Sequence, residues 1–443
     1  MSFSPAILAE HLKEIESTAG RPARYVIAFS GGLDSTVLAH ALARNSDVPD
    51  VPVLAIHVDH ALQTDSANWS KHCAQIAAEL EIDFRSLLVD VQLESGKGPE
   101  ASARDARYAA LSAELSNDDW LLSAHHREDQ AETLLLNLIR GSGPAGVAGI
   151  GDVRRIGPGW LVRPMLNVDR ADIELYANDM GLHWIEDPSN EDQRFDRNFL
   201  RHEVLPRLKS RWPDIAARLQ RSAGHAGEAS QLLIELAAID LESLGSRAAR
   251  LPIDGLSGLS VARQRNVIRF ALRELGLSTP TAVQLERILN EVIPARVDAQ
   301  PLVSWAGASV RRYRNGLYLL PENLADAVAS ESLSGADLEL GIGLGTLHFK
   351  LGADIGISEE LFSGGLTIKP RTGGEEIQLQ GQPHTSKLKK LLQEEGIVPW
   401  MRDRLPLVYS GDRLVAVGDL WLAEDAASTP GIAVRWSGRP ALH

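Results

Sequence analysis

The residues best suited to chemistry begin with Ser30-Gly31-Gly32-Leu33-Asp34-Ser35. They follow the apolar run Tyr25-Val26-Ile27-Ala28-Phe29, a buried strand by pattern, and precede the helical Thr36–Leu42. A glycine pair there frees backbone N–H groups to point at an anion, and the helix N-terminus adds its positive dipole end. Ser30, Gly31, Gly32, Leu33, Asp34 and Ser35 thus form a phosphate cradle, and strand–loop–helix context favours that over an ordinary tight turn. The GxxxxGK[ST] spacing and its lysine are missing. Asp34 stands there instead, a carboxylate that repels phosphate unless Mg²⁺ lies between them.

A second group is His125-His126-Arg127-Glu128-Asp129-Gln130-Ala131-Glu132-Thr133. Asp129 and Glu132 share a face at the opening of a helix. They either favour the helix dipole or hold Mg²⁺ or a cationic substrate. The adjacent histidines point in different directions, and no ligand set has zinc spacing. Basic residues gather at Arg194, Arg197, Arg201, Arg207, Lys209 and Arg211, and at Lys387, Lys389 and Lys390. Such runs are usually solvated helix faces, and no interleaved aromatic platform for bases is read here.

The elements that must position these groups alternate as in a parallel α/β sheet. Strand-like runs cover 53–59, 84–89 and 120–124; helical ones cover 66–80, 101–115 and 130–140. Residues 30–35, 57–60 and 125–129 fall at strand ends, where ligands of such sheets bind. A glycine-rich connection spans Gly141–Gly146. From 198 to 245 the apolar period is helical, 322–337 has linker composition, and beyond 340 short strands alternate with turns.

A length of 443 residues accommodates several domains. The single cysteine, Cys73, excludes a disulfide framework and a Cys-based zinc site, and reads as a core residue. Neither a signal peptide nor an apolar membrane-length run is read in the sequence, so a cytoplasmic location is the expectation. The net charge of −14 opposes non-specific nucleic-acid binding, so any such role needs local basic surface.

The Ser30–Ser35 string resembles the loop of the N-type ATP pyrophosphatases (PP-loop enzymes). His125–Thr133 resembles the HHxxDQxET string of tRNA(Ile)-lysidine synthetases. So do Gly98–Tyr108, Arg140–Gly143, Asp187-Pro188-Ser189-Asn190 and Arg197-Asn198-Phe199-Leu200-Arg201. The resemblance extends to Arg371–Glu375, Lys387–Leu392 and Pro399–Arg402. Glu128 departs from it, since an aspartate is more usual there; this puts in doubt a metal-ligand role for residue 128.

The resemblance implies an α/β fold: a parallel-sheet ATP pyrophosphatase domain over 1–210, a mostly helical tRNA-contacting domain over 211–325, and a small mixed α+β tRNA-binding domain over 340–443. It implies ligation of free L-lysine to the wobble cytidine of the CAU-anticodon isoleucine tRNA through an adenylated intermediate. ATP is the substrate of the activating step and Mg²⁺ its cofactor, held by Asp34. Asp34, Arg104, His125, Asp129 and Glu132 are the implied catalytic residues; Arg197, Arg201, Lys387, Lys389 and Lys390 the implied tRNA contacts; a homodimer is left open. By residue type alone, Arg104 is better read as a helix charge paired with Glu100. Competing readings are a small-molecule ATP-dependent ligase and an ATP- or tRNA-binding module without catalysis. Cysteine-dependent tRNA thiolation and glutamine amidotransfer fit poorly with one cysteine.

Overall fold

The computed structural model describes residues 3–45, 51–59, 66–89, 99–245, 247–296, 299–324, 330–333, 337–341 and 343–443. His60, Gly98, much of the expected linker, and the side chains of Glu100, Ser189 and Asn190 lie outside the described residues. The chain divides into compact units Met1–Gln231 and Leu232–His443.

In the first unit the elements run α1 (Pro5–Ala19), β1 (Arg24–Ala28), α2 (Leu33–Ala43), β2 (Val53–Asp59), α3 (Ser66–Glu79), β3 (Asp83–Leu88), α4 (Pro99–Ala113), β4 (Asp119–Leu122) and α5 (Arg127–Ile139). They continue through α6 (Pro144–Val147), β5 (Val153–Ile156), β6 (Gly159–Val162) and α7 (Arg170–Asp179). The sheet order is β3-β2-β1-β4-β6-β5, parallel except for the β5–β6 pair. Both faces are covered, which is why Tyr25, Val26 and Ile27 of β1 and Trp120, Leu121 and Leu122 of β4 are almost wholly buried. Leu8 and Leu12 of α1, Val37 and Leu38 of α2 and Ile173 of α7 pack on one face. Leu111 of α4 packs on the other.

Strand order reverses between β1 and β4, which pair directly although two strands intervene in sequence. This is where an open α/β sheet leaves a crevice. The loop after β1 and the histidine segment after β4 therefore open side by side.

Next come α8 (Asp196–Phe199), a π-helical turn (Leu200–Val204), α9 (Leu205–Arg211) and α10 (Ile215–Ser243). The helical period expected from 198 to 245 is thus interrupted at Trp212–Asp214, because Pro213 cannot continue a helix with a backbone donor. Ala131, Leu205 and Ala216 form a small apolar cluster joining α5, α9 and α10.

In the second unit, helices Val261–Glu274 and Ala282–Arg287 pack on a sheet of four short strands drawn from Arg250–Pro252, Leu302–Trp305, Ala308–Tyr313 and Gly316–Leu320. That sheet adds to the helices expected there. Toward the C-terminus, two five-stranded sheets enclose a core that includes Leu347, Ile368, Val408 and Trp436. Tyr318 and Leu320 belong to the same core, so a boundary at 340 falls across it. Glu331 and Ser332, inside the expected linker, pair with Ile368 and Thr367.

Candidate active site

The loop after β1 is shaped by Gly31, whose φ of +77° favours glycine. A Cβ there would stand 2.7 Å from Cys73 Sγ. Gly31 O accepts from Ile185 N at 2.9 Å, tying the loop to the chain beyond α7. Ser30 Oγ and Ser35 Oγ lie 3.0 Å apart, and Ser35 Oγ donates to Gly32 O at 3.1 Å. Beneath the loop Cys73 is fully buried, and burial pushes its thiol up to about 12. It is a packing residue, as its sequence context indicates.

Asp34 opens α2 with its Oδ1 buried and without a hydrogen-bond partner. Burial raises its carboxyl above the ordinary range, with nearby His126 opposing that shift. A carboxylate oxygen left so, beside amides aimed at phosphate, fits Mg²⁺, a cation that takes one or two carboxylates and completes its shell with phosphate oxygens and water. Among the described residues no cluster of three or more His, Cys, Asp or Glu forms a self-sufficient metal site.

Across the crevice, His126 is 1% exposed and surrounded by carboxylates. Its Nε2 lies 3.8 Å from Asp34 Oδ2 and 3.5 Å from Asp129 Oδ2; its Nδ1 lies 3.2 Å from Glu128 Oε2. Burial opposes its charge, but Asp129, Glu128 and Asp34 outweigh that and raise its pKa. His126 was not singled out in the sequence beyond its pairing with His125. His125 behaves oppositely: burial, reinforced by Arg163, Arg104 and Arg197 and opposed by Asp129, lowers it to about 3. It stays neutral, with Nδ1 2.7 Å from Ser123 Oγ.

Asp129 takes the helix-terminal role and also pairs with an arginine of this chain. Its Oδ2 accepts from His126 N at 3.0 Å, capping α5, and its Oδ1 accepts from Arg201 Nη2 at 3.0 Å. Despite burial, His126, His125, Arg197 and Arg201 hold its carboxyl down at about 2. Glu132 is completely buried. It accepts from Arg197 Nε at 2.9 Å and from Arg201 Nε and Nη2 at 2.7 and 2.9 Å.

Arg197 and Arg201 therefore point inward at the carboxylates; their expected place on a solvated, tRNA-facing surface is not where the structure puts them. Four residues apart on α8 and the π turn, they share one face. Phe195 and Phe199 are exposed within the same basic segment, so aromatic and basic residues do interleave here. Lys209 of α9 also turns inward, to Glu128 Oε1 at 2.6 Å. Glu128 Oε2 accepts from Arg170 N at 2.9 Å, at the start of α7. His126, then Lys209 and the Arg170 N–H, hold the Glu128 carboxyl well below its usual range against the cost of burial. Its carboxylate thus serves Lys209 and α7. Arg104 on α4 lies over the Tyr108 ring at 5.2 Å. A cavity of about 310 Å³ opens among Glu128, Glu132, Arg170, Arg201, Leu205 and Lys209. Lys387, Lys389 and Lys390 are exposed in the second unit, with Lys390 Nζ 3.6 Å from Glu394.

A PP-loop domain family matches residues 6–208. A TilS substrate binding domain matches 251–318 and a TilS substrate C-terminal domain 366–436. The tRNA(Ile)-lysidine synthase of Alkalilimnicola ehrlichii is 42% identical over 97% of this chain and 96% of its own length. The chain belongs to the tRNA(Ile)-lysidine synthase family. That of Methylococcus capsulatus is 42% identical over 93% of this chain and 96% of its own. For the Coxiella burnetii tRNA(Ile)-lysidine synthase the figures are 41%, 94% and 92%. The likeness of this lysidine synthase family member to its relatives thus covers both units.

Two outcomes follow from the site's geometry. Gly31→Ala meets both backbone strain and the Cys73 contact, and should lower stability by about 1–2 kcal/mol and raise the ATP KM; thermal melts and ATP titration check this. Glu132→Gln leaves buried guanidiniums under-neutralised and should cost roughly 3–5 kcal/mol in denaturant unfolding.

Proposed function

We propose that this chain joins lysine to the wobble cytidine of the CAU-anticodon isoleucine tRNA, using ATP and releasing AMP and pyrophosphate. The observation that carries the reading is the meeting of Asp34 and its phosphate-binding loop with the Asp129–Glu132–Arg197–Arg201 group across the β1–β4 crevice. Family membership supplies the reaction; the site supplies places for its steps.

In the first step the C2 oxygen of the cytosine attacks the α-phosphorus of ATP, and pyrophosphate leaves. The amides of Ser30–Ser35 and the α2 N-terminus hold the β,γ-phosphates and the charge that develops on them. Asp34 holds Mg²⁺, which when bound offsets charge on the phosphate oxygens. Arg104 stands near the neutral His125 as a guanidinium available to the α-phosphate. In the second step the ε-amino nitrogen of lysine attacks C2 and the C–O bond to AMP breaks.

The cavity beside Glu128 and Glu132 is the place for lysine. Its stem lies along Leu205, and Arg170 is available to its carboxylate. Asp129, held ionised with both oxygens already accepting hydrogen bonds, attracts the ammonium by charge before attack and does not line the cavity itself. Because Glu132 is already engaged by Arg197 and Arg201, its part is to fix those arginines and the cavity wall. Lys387, Lys389 and Lys390 contact tRNA backbone from the C-terminal part of the chain. We assign ATP activation to 1–210 and tRNA handling to 211–325 and 340–443, two stretches that share a core through Tyr318 and Leu320, and the reaction to the cytoplasm. Among the described residues no helix is long and apolar enough to cross a membrane.

Incubation with tRNA(Ile), ATP, Mg²⁺ and lysine should add one lysine less one water to that tRNA by intact mass. Asp34→Ala should abolish AMP formation while tRNA affinity stays within about twofold; ordinary turnover in that variant removes Asp34 from the mechanism. Lys387→Ala/Lys389→Ala/Lys390→Ala should raise the tRNA Kd about tenfold or more and flatten its salt dependence. An unchanged Kd would take those lysines out of the interface.

A further inference from the structure

On the α4 side of the sheet Arg104, the guanidinium offered to the α-phosphate, has two arginine neighbours that the chemistry above does not use, Arg154 and Arg163. Arg163, just beyond β6, is 5% exposed, donates through Nη1 to Gly151 O, and has a buried Nε without a hydrogen-bond partner. Tyr108 of α4 lies between two further guanidiniums, with Arg104 at 5.2 Å and Arg154 of β5 at 5.7 Å from the ring centroid. Among the described residues none of Arg104, Arg154 and Arg163 has a carboxylate within ion-pair distance. Asp152 is close enough to feel Arg163, but burial dominates and raises its carboxyl.

These cations are held together at a cost. Burial lowers the Arg163 pKa, and although Tyr108 favours its charge, Arg154 and Arg104 add repulsion. The same crowding helps to keep His125 neutral. A polyanion laid across the group would relieve that repulsion and supply an acceptor for Arg163 Nε.

We propose that Arg154 and Arg163, with Tyr108 between the hairpin and Arg104, form a phosphodiester-binding site for the RNA strand that carries the target base. The inference rests on the tRNA reading above. Position favours RNA over ATP as the source of the phosphate. Arg154 sits on β5, three strands from β1 in the order β1-β4-β6-β5. At about 4.8 Å per strand that is roughly 14 Å from the loop that grips the triphosphate. An extended RNA backbone spans that distance, whereas the phosphates gripped at Gly31 and Gly32 lie at its far end. In a chain of net charge −14, such local clusters are what an RNA contact requires.

The test compares full-length wild type, Arg154→Ala and Arg154→Lys. Arg154 is exposed on a sheet edge, so replacing it leaves the fold intact. Arg154→Ala should weaken tRNA(Ile) Kd about three- to tenfold, and the slope of log Kd against log salt should fall by about 0.7–1, one phosphate contact. Its ATP KM and its kcat at saturating tRNA should match wild type. Arg154→Lys should restore the slope. An unchanged slope and Kd would overturn the proposal. So would a raised ATP KM with unchanged tRNA Kd, which would assign the anion to ATP. Wild-type protein that binds tRNA but transfers no lysine would remove the functional reading, and the salt-slope comparison would still decide the phosphate site.

Discussion

Glu132 has no exposure to water, and two half-buried guanidiniums, those of Arg197 and Arg201, close on its two oxygens. Burying an ion pair costs about as much desolvation as it returns in attraction. Its value here is positional. Arg197 and Arg201 come from α8 and the π turn, Glu132 from α5, and their hydrogen bonds fix one chain segment against the other. Asp129 receives its guanidinium through the same arrangement, Lys209 closes on Glu128 one helix further along, and the cavity between them takes its walls from these contacts.

The phosphate loop is organised by a different means. It has few side chains to order it, so its shape comes from one positive-φ glycine, a buried cysteine below it and a backbone hydrogen bond from Ile185. The chain that leaves Ile185 continues to Arg197 and Arg201. The loop and the arginines are thus parts of one continuous path that begins and ends at the crevice. His126 stands where the two halves meet, its Nε2 facing both Asp34 and Asp129 and its Nδ1 facing Glu128.

Some of this was legible in the sequence because its causes are local. Ser30–Ser35 must bring amides to an anion between a strand and a helix, and that requirement writes itself into consecutive residues. The β1, β2 and β4 runs were legible because strands buried on both faces are largely apolar, whereas β3 at the sheet edge is mostly exposed and carries Asp83, Arg85 and Ser86. The direction of Arg197 and Arg201 was not, because nothing in their own segment records that their partners lie more than sixty residues earlier. His126 differs from His125 only in which carboxylates surround it, a tertiary property. The β5–β6 hairpin is two short strands after a glycine-rich connection, and the sheet between Arg250 and Leu320 is built partly from equally short ones. The hairpin and the three- and four-residue members of that sheet are too short to display a period. Glu128 was a departure of uncertain meaning until Lys209 and Arg170 N–H accounted for both of its oxygens.

The π-helical turn at Leu200–Val204 has a consequence for how this segment tolerates change. Arg197, Arg201, Leu205 and Lys209 stand at every fourth position, and each is turned toward α5 or buried beside it. In a helix of 3.6 residues per turn a fourfold spacing drifts by about 40° at each step. A wider turn takes back part of that drift, so the row stays aligned across its length. The stretch is therefore a frame as much as a list of side chains. Exchanging one residue for another alters a single contact, whereas losing or gaining one residue between Phe199 and Leu205 would rotate everything after it away from its partners.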